Sequence, residues 1–136
     1  MLGAHCLRTW SSTQGAIALS SAEAELYALI DAVLRAKWAQ SVLGELGVPI
    51  APVAEACTDS SAAKSFVSRR DLGKMRHLDL RDLWLQREVG DGKVIVRKVA
   101  GEQNPVDAMT KFFGWQALRD RLLRLSVRLD WDGEVR

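Results

Sequence analysis

Hydrophobic residues follow one another at steps of three and four along the stretch behind Ser20. This spacing places them on one face of a helix. Ser20 and Glu23 match the Ser-x-x-Glu capping box that begins many helices, and Gly47 with Pro49 ends the pattern. We therefore predict a long amphipathic helix between these limits. Its apolar positions are Leu26, Leu29, Ile30, Val33, Leu34, Trp38, Val42 and Leu46.

Two short segments ahead of this helix have the composition of β-strands. Cys6 to Trp10 and Ala16 to Leu19 are rich in aliphatic, aromatic and β-branched residues, and the polar residues Ser11 to Gly15 separate them. This arrangement is typical of two strands joined by a turn, so we predict a hairpin.

The middle of the chain contains a second strand-like region. Val53 to Thr58 is a short, largely apolar run without helical periodicity, which predicts a buried strand. We expect it to lead directly into a helix from Ser60 to Ser68. Arg69 to Lys74 then form a basic loop.

The remaining residues complete an alternation of strands and helices. We predict a helix from about His77 to Val89, an edge or half-buried strand from Lys93 to Val99 and a short helix that begins at Pro105. Trp115 to Leu129 form a last, amphipathic and Arg-rich helix. This order of elements predicts an α/β fold, a mixed sheet flanked by helices.

Composition limits the broad class of the protein. The 136 residues suit a single domain, and 48% hydrophobic and 26% charged residues are typical of a soluble globular chain. A formal net charge of +2 is too small to argue for nucleic-acid binding by itself.

The sequence also predicts where the protein is found. No apolar run is long enough to cross a bilayer, and the start lacks a signal-peptide pattern. We therefore expect a soluble intracellular protein, without distinguishing cytoplasm, nucleus or virus-like particle. Cys6 and Cys57 lack metal-site spacing, and we expect buried free thiols.

Three acidic residues on different predicted elements are candidates for chemistry. Glu25 lies in the first turns of the long helix, Asp59 at the end of the buried strand, and Asp107 in the first turn of a short helix. Converging carboxylates can hold a pair of Mg²⁺ ions about 4 Å apart for phosphodiester cleavage. The alternative is that acids near helix N-termini, including Glu23, serve as caps and favour the helix dipole.

Four segments of the chain resemble motifs of copia-type retrotransposon Pol polyproteins, in their reverse transcriptase–RNase H region. They read WSSTQ with IALSSAEAELYA at residues 10–28, DSSAA at residues 59–63, RHLDLR at residues 76–81 and NPVDAMTK at residues 104–111. Leu26 and Val106 stand where the motifs have Tyr and Ala. The motifs keep the family's order over about residues 10 to 113, which makes the resemblance specific.

The resemblance implies an RNase H-like domain over residues 1–113 and a C-terminal helical extension over residues 114–136. It implies hydrolysis of the RNA strand of RNA–DNA hybrids with two Mg²⁺ ions. It selects Glu25 over Glu23 and gives Glu25, Asp59 and Asp107 the roles of catalytic, metal-binding residues. The implied partners are nucleic acid and the reverse transcriptase portion of the same polyprotein, with no membrane and no small-molecule cofactor.

One feature of the resembled family has no counterpart in the chain. The family's first catalytic aspartate lies on a strand that would precede Met1, so we expect an N-terminally truncated domain with an incomplete metal site. Three hypotheses follow: a domain that is inactive alone, a nuclease completed by another chain or an upstream segment, and a non-catalytic nucleic-acid-binding module.

Residues that could contact nucleic acid lie in the predicted hairpin turn and in a basic stretch that runs from Arg69 to Arg81 between two predicted helices. The alternative for the turn is that its polar side chains only face solvent. The alternative for the basic stretch is a solvated charged face that binds no nucleic acid. The candidates are Ser12, Gln14, Arg69, Arg70, Lys74, Arg76, His77 and Arg81.

Overall fold

A computed structural model describes residues 6–15, 17–69, 80–109 and 111–127. The chain divides into two compact units. One unit comprises residues 14–99, and the other comprises the residues before Gln14 and after Val99. No helix in the described ranges is both long enough and apolar enough to span a membrane.

The unit of residues 14–99 is an α/β arrangement around two parallel strands. The strands β1 and β2 pair from Ala54 opposite Val94 to Thr58 opposite Lys98. Parallel neighbours need a long crossover, and two helices lie between these strands in sequence. The predicted α/β class is confirmed. The elements are α1 (Ser21–Glu45), β1 (Ala54–Thr58), α2 (Ser61–Val67), α3 (Leu80–Gly90) and β2 (Val94–Lys98).

Side chains that were predicted to cap α1 do so. Ser20 has extended backbone angles, and its Oγ accepts a hydrogen bond from the Glu23 backbone N at 3.2 Å. The Glu23 carboxylate in turn accepts from the backbone N of Leu19 at 2.8 Å, one residue earlier than in the standard capping box. Glu23 is therefore a capping acid, as the pattern predicted.

The end of α1 is a Schellman motif around Gly47. Gly47 has a φ of +71°, a left-handed conformation that glycine adopts without strain. Val48 N donates to Leu43 O at 2.9 Å and Gly47 N to Gly44 O at 3.0 Å, which satisfies carbonyls at the helix end. The predicted end of the helix at Gly47 is confirmed.

A hydrophobic core joins the first half of α1 to one face of the sheet. Alternation along the strands turns Ala54, Thr58 and Val94 toward the helices, whereas Glu55 and Ile95 face outward and are exposed. The core consists of Leu26, Leu29, Ile30, Val33, Ala54, Ala63, Phe66, Val67, Leu85 and Val94.

The apolar stripe predicted for α1 is only partly buried. Leu34, Trp38 and Leu46 are 45%, 65% and 72% exposed. The buried positions end at Val33, because the core that covers α1 reaches only its first half.

The predicted N-terminal hairpin is wrong, since the structure contains no strand in residues 6–15 or 17–20. The apolar side chains of Leu7, Ile17 and Leu19 are 54%, 90% and 77% exposed, so these segments do not pack against a core that would stabilise strands. An isolated two-stranded hairpin is only marginally stable in water. The amide of Gln14 instead donates to the Ala24 carbonyl at 2.7 Å.

The other predicted elements of this unit differ from the structure mainly at their ends. The predicted strand Val53 to Thr58 and helix Ser60 to Ser68 are confirmed within one residue. The helix predicted from His77 to Val89 runs from Leu80 to Gly90, and residues 77–79 lie outside the described residues.

The second unit contains two short 3-10 helices, Gly101–Gln103 and Pro105–Met109, and α4 (Trp115–Arg124). Arg121 connects α4 to the first of these 3-10 helices. Its guanidinium donates to the carbonyls of Ala117, in α4, and Glu102, in Gly101–Gln103, both at 3.3 Å. The same group lies 4.0 Å from the centre of the Phe113 ring. Arg121 is thus a structural residue of this unit.

The predicted extension of the last helix to Leu129 is wrong. Ser126 has a φ of +56°, and Val127 N donates to Leu122 O at 3.0 Å. These features form a Schellman motif that ends the helix, with Ser126 in the position that glycine usually occupies.

Candidate acidic site at the carboxyl end of the parallel strands

Asp59 directly follows the last residue of β1 and is partly buried. The turn into α2 is built by its neighbours: Ser60 N donates to Thr58 Oγ1 at 3.1 Å, and Ser60 Oγ accepts from Ala63 N at 3.1 Å. Ser60 is therefore the N-cap of α2, and Asp59 does not cap it. In the described part of the chain the Asp59 carboxylate has no hydrogen-bond or ion-pair partner.

Lys98 lies at the same end of the sheet, and the sequence analysis did not identify it as a candidate. It is the last residue of β2 and pairs with Thr58 in the register. Its ammonium donates a hydrogen bond to the Ser61 hydroxyl, two residues beyond Asp59. Lys98 lies outside every motif quoted above, and only strand register brings it to this position.

Glu25 lies in the second turn of α1, and its side chain is exposed. The next residue, Leu26, is fully buried in the core that α1 shares with β1. The helix that carries Glu25 thus packs against β1, the strand that precedes Asp59.

Asp107 belongs to the second unit, in the 3-10 helix Pro105–Met109. Its carboxylate forms an ion pair with Lys111, whose Nζ lies 2.8 Å from Oδ2, and its side chain is only 14% exposed. Lys111 N also donates to the Asp107 carbonyl at 2.9 Å. Within this motif, Asp107 and Lys111 therefore stabilise each other.

The described residues do not by themselves fit a two-ion metal site. Among them, no group of three or more His, Cys, Asp or Glu side chains is arranged to hold a metal ion. Magnesium binding by Glu25, Asp59 and Asp107 stays a prediction.

The predicted nucleic-acid contacts fall into two groups. Ser12, Gln14, Arg69 and Arg81 are exposed, although the Gln14 amide is already bonded to Ala24. The remaining candidates, Arg70, Lys74, Arg76 and His77, lie outside the described residues.

The expectation of buried cysteines is wrong for Cys57, an exposed residue on the outward face of β1 whose free thiol is only partly buried. Cys6 is free and half-buried. Alternation along β1 explains the difference from expectation, because it turns every second residue away from the helices.

Sequence similarity to a known polyprotein supports a retrotransposon Pol origin for this chain. The chain is 30% identical over 104 residues to the Retrovirus-related Pol polyprotein from transposon TNT 1-94 of Nicotiana tabacum. The similarity covers 76% of this chain but only 8% of that polyprotein. No family model and no solved structure matches the chain.

Proposed function

We propose that this chain is part of an RNase H-like domain of a copia-type retrotransposon, which acts on RNA–DNA hybrids during reverse transcription. The observation that carries the proposal is the position of Asp59. Its carboxylate has no partner in the described residues, and it lies at the carboxyl end of a parallel strand, where open α/β sheets bind ligands. The four sequence motifs and the similarity to a Pol polyprotein support the same proposal.

The 136 residues contain three of the four carboxylates that the resemblance implies. The described residues do not form a metal-binding group, so we assign no catalytic step to a metal ion. We propose that these residues alone do not cut hybrids. The carboxylate of the first strand must then come from another chain or from an upstream segment of the polyprotein, and the reverse transcriptase portion is the natural partner.

A cleavage assay on a labelled RNA–DNA hybrid, in Mg²⁺ or Mn²⁺, tests this proposal. We expect no cleavage by the 136-residue chain, and cleavage when a segment with the aspartate strand is added. Asp59→Asn should abolish the restored cleavage. The matched variant Asp91→Asn, in an exposed turn, should not. Robust cleavage by the chain alone that Asp59→Asn abolishes would overturn the proposed incompleteness. No cleavage in the completed assembly would overturn the nuclease assignment.

A second candidate function is nucleic-acid binding without catalysis. Arg69 and Arg81, the first and last residues of the basic stretch, are exposed and form no ion pair within the described residues. This module would bind hybrids in a salt-dependent manner. Its binding should survive Glu25→Gln and weaken when Arg69, Arg70 and Arg76 are neutralised together.

A further inference from the structure

Strand register brings the side chain of Lys98 to the end of the sheet at which Asp59 lies. Residues paired in a parallel ladder direct their side chains to the same face, so Lys98 lies on the same face as the buried Thr58. This orientation brings the Lys98 ammonium to the hydroxyl of Ser61, the first residue of α2. Asp59 lies between Thr58 and Ser61 in the sequence. The cation and the carboxylate therefore share one end of the sheet.

The charge of Lys98 is not neutralised within the described part of the chain, where no carboxylate forms an ion pair with it. Two neighbouring cations, Lys93 and Arg97, are paired with carboxylates. Lys93 Nζ lies 3.1 Å from Asp91 Oδ2, and Arg97 Nε lies 2.8 Å from Glu55 Oε1. Lys98 is exposed and donates to a single neutral hydroxyl. An ammonium has three donors, so two of its protons are available to an incoming acceptor.

We infer that Lys98 contacts a backbone phosphate of the nucleic acid at the Asp59 end of the sheet, with Ser61 positioning the ammonium. This inference rests on the proposed function. A phosphodiester that approaches Asp59 brings negative charge toward a carboxylate, and a nearby ammonium offsets that repulsion. The Ser61 hydroxyl accepts from Lys98, which leaves its own proton to donate to the same phosphate.

The experiment is a titration of the full 136-residue chain against a short fluorescein-labelled RNA–DNA hybrid, followed by anisotropy at several salt concentrations. Each neutralised phosphate contributes about 0.7–0.9 to the slope of log affinity against log salt, so one contact strengthens binding about five- to eightfold between 1 M and 0.1 M salt. Lys98→Gln should lose this factor at low salt and lower the slope accordingly. Lys98→Arg should retain most of the affinity.

Lys93→Gln is the matched control, because it removes the same charge from the other end of β2, where the ammonium is already paired. Ser61→Ala should weaken binding less than Lys98→Gln. Equal affinities and slopes for the wild type and Lys98→Gln would overturn the inference while leaving the proposed function intact. Equal losses in Lys98→Gln and Lys93→Gln would also overturn it. If the wild type fails to bind the hybrid at all, the inference is wrong, and the cleavage assay on the completed assembly decides the proposed function separately.

Discussion

Arg97 reaches across the two parallel strands to Glu55, with 2.8 Å between Nε and Oε1, on the outward face of the sheet. Cys57 is the register partner of Arg97 and lies two residues from Glu55 on the same face of β1. The partial burial of the thiol and the neighbouring Glu55 carboxylate raise the pKa of Cys57, and Arg97 opposes them. These three residues form one electrostatic unit.

We expect Cys57 to be alkylated more slowly at pH 8 than an unperturbed thiol. The thiolate is the reactive form, and a raised pKa lowers its fraction at a given pH. Glu55→Gln removes a cause of the rise and should accelerate alkylation, whereas Arg97→Gln should slow it. Iodoacetamide labelling followed by mass spectrometry measures both rates. Glu45→Gln, at an exposed position on α1, should leave the rate unchanged. Slower labelling of Glu55→Gln would contradict the assignment.

Replacement of the helix cap should destabilise the unit of residues 14–99. Ser20→Ala removes the acceptor of the Glu23 backbone N–H and should lower the free energy of unfolding by about 1 kcal/mol. Ser41→Ala is the same substitution at an exposed position inside the same helix. Because alanine has a higher helix propensity than serine, Ser41→Ala should leave the free energy of unfolding unchanged or raise it slightly. Urea denaturation followed by circular dichroism distinguishes the two. Equal effects would contradict the capping role.

The core should respond to truncation according to burial along α1. Leu26 is fully buried, and Leu26→Ala should cost about 2–5 kcal/mol because it leaves a cavity against the sheet. Leu34 lies two turns further along the helix and is 45% exposed. Leu34→Ala should cost about 1 kcal/mol or less, because it removes less buried surface. Denaturation midpoints of the two variants provide the test, and a larger loss for Leu34→Ala would show that the core extends further along α1.

The end of α4 offers a stabilising substitution. Ser126 occupies the left-handed position of a Schellman motif, with a φ of +56°. A left-handed backbone costs an L-residue about 1–2 kcal/mol, and glycine avoids this cost but loses more entropy on folding. Ser126→Gly should therefore stabilise α4 by up to about 1 kcal/mol, seen as slower hydrogen exchange of residues 115–125. Ser65→Gly, inside α2, should instead destabilise its own helix. Faster exchange in Ser126→Gly would show that the turn does not limit the stability of α4.

Elements whose limits depend on nearby residues were predictable from the sequence. The cap at Ser20 and the stop at Gly47 each follow from hydrogen bonds within a few residues. The hairpin and the end of α4 were predicted wrongly. A strand exists only where it has a partner and buried surface, and the left-handed turn at Ser126 carries no glycine to mark it.

The sequence by itself determined the α/β class, the long capped helix, the acidic candidates and the resemblance to a Pol polyprotein, since periodicity and motif wording are properties of the linear chain. Only the tertiary structure placed Lys98 beside Thr58 and Ser61, although about forty residues separate them in sequence. Strand register decided this, because hydrogen bonding between β1 and β2 selects one alignment, and a shift of one residue would turn Lys98 to the other face.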